Sequence, residues 1–283
     1  VTDPKHAHAT ENGRYYSDPA GGPDLVSVTN VLDTSVSKPA LRYWAVKLTV
    51  EWVLDHRMEV ARRALTDRTE LVKELKAVSS AVSEAAADLG TRIHIAAQNR
   101  LLRAPIAADA QVRPYLQRFD KWLVEWGVDI DRDVVSTEIT VLHRALGYAG
   151  TADLMIWLPT GPGGRRELWL IDYKSSATRS AKSVYAENAQ QLAALRFAET
   201  VLLPDDTDAE MPAIERTGVL NLRQKSHALV EMPGDRAAFR AFRGALVNAQ
   251  WHHASPSSYP ALLAPGQVAA PKRAPLRSLR KAA

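Results

Sequence analysis

The 283-residue sequence contains no cysteine. That absence excludes disulfide frameworks, zinc sites built on thiolates, cysteine-ligated iron–sulfur clusters and a thiol nucleophile. Chemistry must therefore come from oxygen and nitrogen groups. No apolar run approaches the roughly 18 residues needed to span a bilayer. The first residues, with Asp3, Lys5, His6 and His8, lack a signal-peptide core, so a cytoplasmic protein without membrane contact is expected. A Gly-x-x-x-x-Gly-Lys-Ser/Thr loop is missing, which argues against a nucleotide cofactor and an attached ATP motor. There is no internal repeat. Charge of either sign is nearly balanced: 36 Lys and Arg against 32 Asp and Glu leave +4, compatible with a polyanionic partner without requiring one. With 46% hydrophobic and 24% charged residues, collagen-like, coiled-coil and wholly disordered chains are excluded.

What is present divides along the chain. Residues 1–24 carry Pro19, Gly21, Gly22 and Pro23 and little apolar periodicity, the texture of a flexible arm. Residues 25–127 read as a helical lobe. From Pro39, apolar residues Ala40, Leu41, Trp44, Ala45, Leu48, Trp52 and Val53 recur at three and four, predicting an amphipathic helix to His56. Helical periodicity continues from Met58 and from Glu70 toward Leu89, is interrupted at Gly90, and resumes from Ile93 to Leu102 before Pro105 ends it. Over Val112–Trp126, Leu116, Phe119, Trp122, Leu123 and Trp126 mark one side of another helix. After Gly127 the residues alternate. Val134–Leu142, Tyr148–Leu158 and Glu167–Tyr173 are separated by short turns, predicting an antiparallel meander. A helix over 183–200, strands at 217–222 and 227–232 and a closing helix over 236–251 complete a core at 128–251. The order predicts a mixed α/β fold. Residues 252–283, rich in Pro, Ser and Ala and ending in basic residues, read as a disordered tail.

Leu168-Trp169-Leu170-Ile171 is apolar on both faces, as a covered central strand would be, and it runs into Asp172-Tyr173-Lys174. With a period of two, Asp172 and Lys174 share one side of the sheet and Tyr173 takes the other. A carboxylate and an ammonium at a buried strand end are costly to desolvate without partners; a divalent cation and a substrate phosphate would provide them. The preceding strand holds Asp153, which a meander can set beside Asp172. Two adjacent carboxylates repel and raise each other's pKa unless a cation lies between them. Oxygen ligands of this kind suit Mg²⁺ or Mn²⁺.

In these motifs the chain resembles the PD-(D/E)xK nuclease superfamily, in particular the RecB-like branch shared with phage exonucleases and CRISPR-adaptation nucleases. The likeness spans residues 26–232. It is carried by Ser27-Val28-Thr29-Asn30-Val31-Leu32, Gly90-Thr91-Arg92-Ile93-His94, Glu138, Gly150-Thr151-Ala152-Asp153, Ile171-Asp172-Tyr173-Lys174-Ser175, and Tyr185 with Gln190-Gln191-Leu192. The resemblance implies a restriction-endonuclease-like core sheet flanked by helices and a metal-dependent DNA nuclease, more in the manner of an exonuclease. It implies a role in recombination, repair or phage DNA processing, with a recombination or replication protein as a possible partner. Carried over, it implies that His94, Asp153 and Asp172 hold the metal with the Tyr173 carbonyl, and that Lys174 orients the attacking water. Gln191 would lie near the metal or the DNA backbone, and Glu138 would polarise a ligand or bind a second ion. Leu195 departs from the pattern, standing where relatives often have tyrosine; no iron–sulfur cluster is expected, since the cysteines are absent.

Plainer readings exist for the same residues. Asp172 and Lys174 also fit a structural ion pair, Glu138 an exposed strand position, and His94 a packed helical histidine. Gln190 and Gln191 differ by about 100° on a helix, so at most one faces the site; Gln191 is chosen. Trp122 and Trp126 fit core anchors better than base-stacking groups, and His252 and His253 fit a solvated loop. The rival to a nuclease is a DNA-binding protein on the same fold that does not cut, for which Leu195 is the only hint. The two are told apart by metal titration.

Overall fold

The alternating stretches form the centre of one mixed sheet, and the helical stretches cover it from both sides. The computed structural model describes residues 4–259 and residue 262. In chain order the elements are β1 (Ala7–Thr10), β2 (Gly13–Tyr16), β3 (Leu25–Ser27), α1 (Val28–Ser35), α2 (Pro39–Asp55), α3 (Arg57–Thr66), α4 (Arg68–Leu101), α5 (Arg113–Glu125), α6 (Ile130–Asp133), β4 (Val134–His143), β5 (Tyr148–Leu158), β6 (Glu167–Ser175), α7 (Ala186–Arg196), β7 (Thr200–Leu202), β8 (Asp208–Glu210), β9 (Arg216–Leu222), β10 (His227–Glu231) and α8 (Arg236–Ala254).

β4, β5 and β6 pair antiparallel in succession, the expected meander, and β6 continues into parallel β9, which carries β10 as a hairpin. Alternation along β6 sends its side chains into two layers. Leu168 and Leu170 pack with Leu192 and Leu195 of α7 and with Phe242 and Leu246 of α8. Trp169, Ile171 and Tyr173 pack with Ile93 and Ala97 of α4 and with Phe119 and Trp122 of α5. A strand buried on both faces has no polar side to show, which is why its sequence is continuously apolar. No helix of the described residues is long and apolar enough to cross a membrane.

Several expectations are corrected. Residues 7–16, read as part of a flexible arm, form the β1–β2 hairpin, which pairs antiparallel with β3 and so joins the sheet. Its strands are too short for a periodic pattern; long-range contacts hold it, with Tyr16 buried and its hydroxyl 2.9 Å from Thr151 Oγ1. Gly90 does not interrupt its helix, since α4 runs unbroken through it. A glycine costs a helix about 1 kcal/mol relative to alanine, too little to break one packed on a sheet. Nor is there a separate helical lobe over 25–127. β3 pairs with β5, α1 packs on α7 and α8, and the end of α4 with α5 forms one of the covering layers. The helix over Pro39–Asp55 is present, but its apolar stripe is only half covered: Leu48 and Trp52 are partly buried while Leu41 and Trp44 remain exposed. His252 and His253 end α8 instead of lying in a loop, and His253 Nδ1 is 2.8 Å from the Tyr15 hydroxyl. β7 and β8 lay unread in the sequence because three-residue strands carry no period. Most of the basic tail lies outside the described residues.

Candidate metal centre

One edge of β5 is shared by two strands. Its start, Tyr148 and Ala149, pairs with β3, and its end, Leu154–Leu158, pairs with β6. Between them the edge of Gly150–Asp153 has neither partner, so the sheet forks. Pairing of β5 with β6 ends at Leu154 and Ile171, one residue short of Asp153 and Asp172. The backbone N–H of Tyr173, released from the ladder there, donates to Asp153 Oδ2 at 2.7 Å. A side-chain carboxylate thus satisfies the freed donor and is fixed by it.

The same point inverts the alternation of β5. Ala152 packs in the α7–α8 layer while Leu154 packs in the α4–α5 layer, so two residues that should share a face do not. On the other edge, Glu138 lies between the pairs Thr137–Leu154 and Ile139–Ala152 and faces Asp153. Its φ is +50°, a left-handed conformation that costs a non-glycine residue of the order of 1–3 kcal/mol and persists where the surroundings impose it. The result is a row of carboxylates, Glu138, Asp153 and Asp172, across three neighbouring strands.

α4 crosses this row. His94 Nε2 lies 3.2 Å from the Tyr173 carbonyl; a carbonyl only accepts, so Nε2 carries the proton and Nδ1 is turned toward the acids. Nδ1 is 3.4 Å from Glu138 Oε1 and 3.6 Å from Asp153 Oδ2. Ligand atoms of His94, Glu138 and Asp153 all lie within 4.8 Å of one another. A neutral imidazole with its Nδ1 lone pair aimed at two carboxylates is repulsive; a cation in the gap, proton or metal, removes the repulsion. The donor set, one imidazole nitrogen and carboxylate oxygens, fits a divalent metal ion. Gly90, one turn before His94, lies beside β6, and a Cβ there would make an ordinary contact with Ser175 Oγ at 3.5 Å.

Asp172, expected among the metal ligands, is engaged elsewhere. Lys174 Nζ is 2.8 Å from its Oδ2, and Gln191 Nε2 donates to its Oδ1 at 2.7 Å. Lys174 and Asp172 share a side and Tyr173 takes the other, as the period of two requires. Of the adjacent glutamines, Gln191 reaches this pair; its Oε1 also accepts from Lys174 Nζ at 3.4 Å. Leu195 is buried against Gly150, where a Cβ would stand 2.6 Å from Leu195 Cδ2. A leucine at this position packs the fork and gives the neighbouring cavity an apolar stretch of lining. His94, Glu138, Asp153, Asp172, Lys174 and Gln191 line one cavity of about 350 Å³. Its opposite wall includes Arg14 and Tyr16 of the hairpin. These two were not legible as site residues, because nothing in a four-residue strand signals where it docks.

Electrostatics follow from this crowding. Burial, then the charges of Asp172 and Glu138 against the opposing pull of His94, push the Asp153 carboxyl up to about 7. Burial lowers the His94 imidazolium, but Asp153 and Glu138 outweigh it and its pKa is raised. Burial likewise opposes the Lys174 charge, yet Asp172 and Asp153 leave its pKa raised. Three carboxyl groups crowd one ammonium and one imidazole, and the raised proton affinity of Asp153 and His94 is the mark of a site that draws positive charge, supplied by protons or by a divalent ion.

A pH dependence of stability follows. Asp153 and His94 both bind protons more tightly folded than unfolded, so their contribution is full below the unfolded pKa and is lost as pH rises through the folded one. Metal-free protein is expected to lose melting temperature between about pH 5 and pH 8 relative to Asp153→Asn, whereas saturating divalent metal should raise the melting temperature of the wild type and not of the variant. The comparison with the variant is needed because His143, held low by burial, acts in the opposite sense. Parallel melting profiles for the two metal-free proteins would refute the coupling.

No family model matches the chain, and no curated protein is similar to it. A solved structure described as "Crystal structure of SSO0001" is similar at 17% identity and a TM-score of 0.30, over 60% of this chain and 76% of that one. A likeness of that degree bears on neither fold nor chemistry.

Proposed function

We propose that the protein is a metal-dependent DNA nuclease of the PD-(D/E)xK kind that hydrolyses phosphodiester bonds with water as nucleophile. The observation that carries this is the forked sheet, which puts Asp153 and Asp172 on adjacent strands with Lys174 two residues on and His94 above them. A structural ion pair would account for Asp172 and Lys174, but not for a strained Glu138 and a histidine nitrogen pointed at two acids.

His94, Glu138 and Asp153 are the residues that would hold the ion, Mg²⁺ or Mn²⁺ being the choice for a mostly oxygen site. This differs from the set the resemblance implied, with Glu138 in the place given to Asp172. When bound, a divalent ion supplies charge neutralisation and polarisation at a phosphoryl oxygen. Lys174, steered by Asp172 and Gln191, orients water and meets the negative charge that gathers on the scissile phosphate. The Tyr173 carbonyl holds the His94 ring in one tautomer. Arg14, on the hairpin wall, has no ion pair among the described residues and supplies a contact for a neighbouring phosphate.

The test is a gel assay with end-labelled single- and double-stranded DNA in Mg²⁺, Mn²⁺ and EDTA. Cleavage with either metal and none with EDTA is expected. Retention of DNA at low salt without any cleavage in either metal would instead favour a binding protein that does not cut.

A further inference from the structure

A second cavity of about 350 Å³ adjoins the metal centre and shares Thr29, Asp33, Lys174 and Gln191 with it. It lies where the α1–α2 junction faces the start of α7. Leu32, Pro39 and Leu41 line it from one side and Tyr185 and Asn188 from the other. Tyr185 is 38% exposed, and the Arg179 guanidinium lies over its ring at 4.0 Å from the centroid. The planar group is thus stacked and open to the cavity.

The segment carrying this stack is held firmly. Buried Arg223 of the β9–β10 turn donates to the carbonyls of Lys174 at 2.8 Å, Arg179 at 2.9 Å and Ser180 at 3.3 Å. Asn221 Nδ2 donates to Ser183 O at 3.1 Å, and Asn188 Oδ1 accepts from Tyr185 N at 2.9 Å. From Lys174 to Tyr185 the chain holds Lys174, Arg179 and Lys182 and no carboxylate. The lining of the slot carries both signs: Lys38 pairs with Asp33, and Lys174 and Glu187 are its other charged residues. Its rim therefore suits a phosphate chain, and its interior a flat uncharged ring.

We propose that this slot is a nucleobase subsite, in which the unpaired base beside the scissile phosphate stacks on the Tyr185–Arg179 pair against the Leu32–Pro39–Leu41 wall while its backbone passes Lys174. The proposal rests on the nuclease reading above and deepens it to an unpaired strand, because a base held in a duplex has no free face to offer.

The experiment is fluorescence anisotropy of the full chain with a labelled single-stranded oligothymidylate in Ca²⁺, with one abasic position stepped along the strand. One abasic position is expected to weaken binding about tenfold, the loss of a single stacked base. Tyr185→Ala is expected to bind the intact strand about tenfold more weakly and to lose that position dependence. Tyr185→Phe keeps it, and Arg179→Ala weakens it. A paired duplex of the same sequence should compete poorly. Circular dichroism melts of each variant check that α7 is intact, and Tyr185→Phe reports on the subsite even if Tyr185→Ala unfolds. A flat abasic scan on wild-type protein that binds and cuts, position dependence surviving in Tyr185→Ala, or equal competition by duplex overturns the subsite alone. Wild-type protein that titrates Mn²⁺ yet binds no oligonucleotide overturns the nuclease reading, and the subsite with it.

Discussion

Asp153→Asn and Asp172→Asn are expected to abolish cleavage to a similar extent but to part company in metal binding. Asp153 belongs to the cluster whose ligand atoms converge within 4.8 Å, so its neutralisation removes a ligand and also disturbs the Tyr173 amide that its Oδ2 accepts. Mn²⁺ affinity measured by calorimetry should fall by more than about 100-fold, beyond the roughly 10–100-fold that follows from altering a group outside the ligand set. Asp172 is spent on Lys174 and Gln191. Asp172→Asn should keep Mn²⁺ within that smaller loss, while cleavage falls by about 10²–10³-fold because Lys174 is no longer held. Equal collapse of metal binding in both variants would make Asp172 a ligand after all. Cleavage surviving in Asp153→Asn would remove the metal reading altogether.

Trp122→Ala should destabilise the fold by about 3–5 kcal/mol in a denaturant titration, the usual cost of emptying a buried aromatic site. Trp122 is fully buried and stacks with Phe119 at 5.8 Å between ring centroids, and Phe119 meets Tyr173 edge-on at 5.6 Å. The layer beneath the metal centre therefore rests on this helix. Trp126→Ala, at a half-buried position, should cost markedly less. Trp122→Ala should not change DNA affinity in the fraction that remains folded, because a ring with no exposed face has none for a base. A stability change below about 1 kcal/mol in Trp122→Ala would contradict its place in the core.

The legible part of this protein followed from local periodicity. A strand apolar on both faces had to be central, and a period of two had to put Asp172 with Lys174 and Tyr173 opposite. Short turns had to make a meander. Helix extents over 39–55 and 113–125 were readable from apolar spacing within one or two residues. The candidate residues His94, Glu138, Asp153, Asp172, Lys174 and Gln191 were all named from the sequence, and the fold gathers them around one cavity. Their division of labour was not readable. Which acid joins His94 depends on where β5 and β6 separate and on a left-handed residue in β4, and neither leaves a mark in the order of side chains. Gly90 misled for a related reason: its cost of about 1 kcal/mol can break an isolated helix but not one whose neighbouring turns are packed on a sheet.

Composition and spacing by themselves determined a cysteine-free mixed α/β chain whose reactive groups are carboxylates, a histidine and a lysine at strand and helix positions, because those properties depend only on neighbours in sequence. Tertiary structure alone decided the docking of the β1–β2 hairpin as a wall of the cavity, the fork of the sheet at Asp153, the strained turn of Glu138 toward His94, and the Tyr185–Arg179 slot beside Lys174. Each of these joins segments tens to hundreds of residues apart, and such contacts are selected by the shared burial of whole layers, which no local pattern encodes.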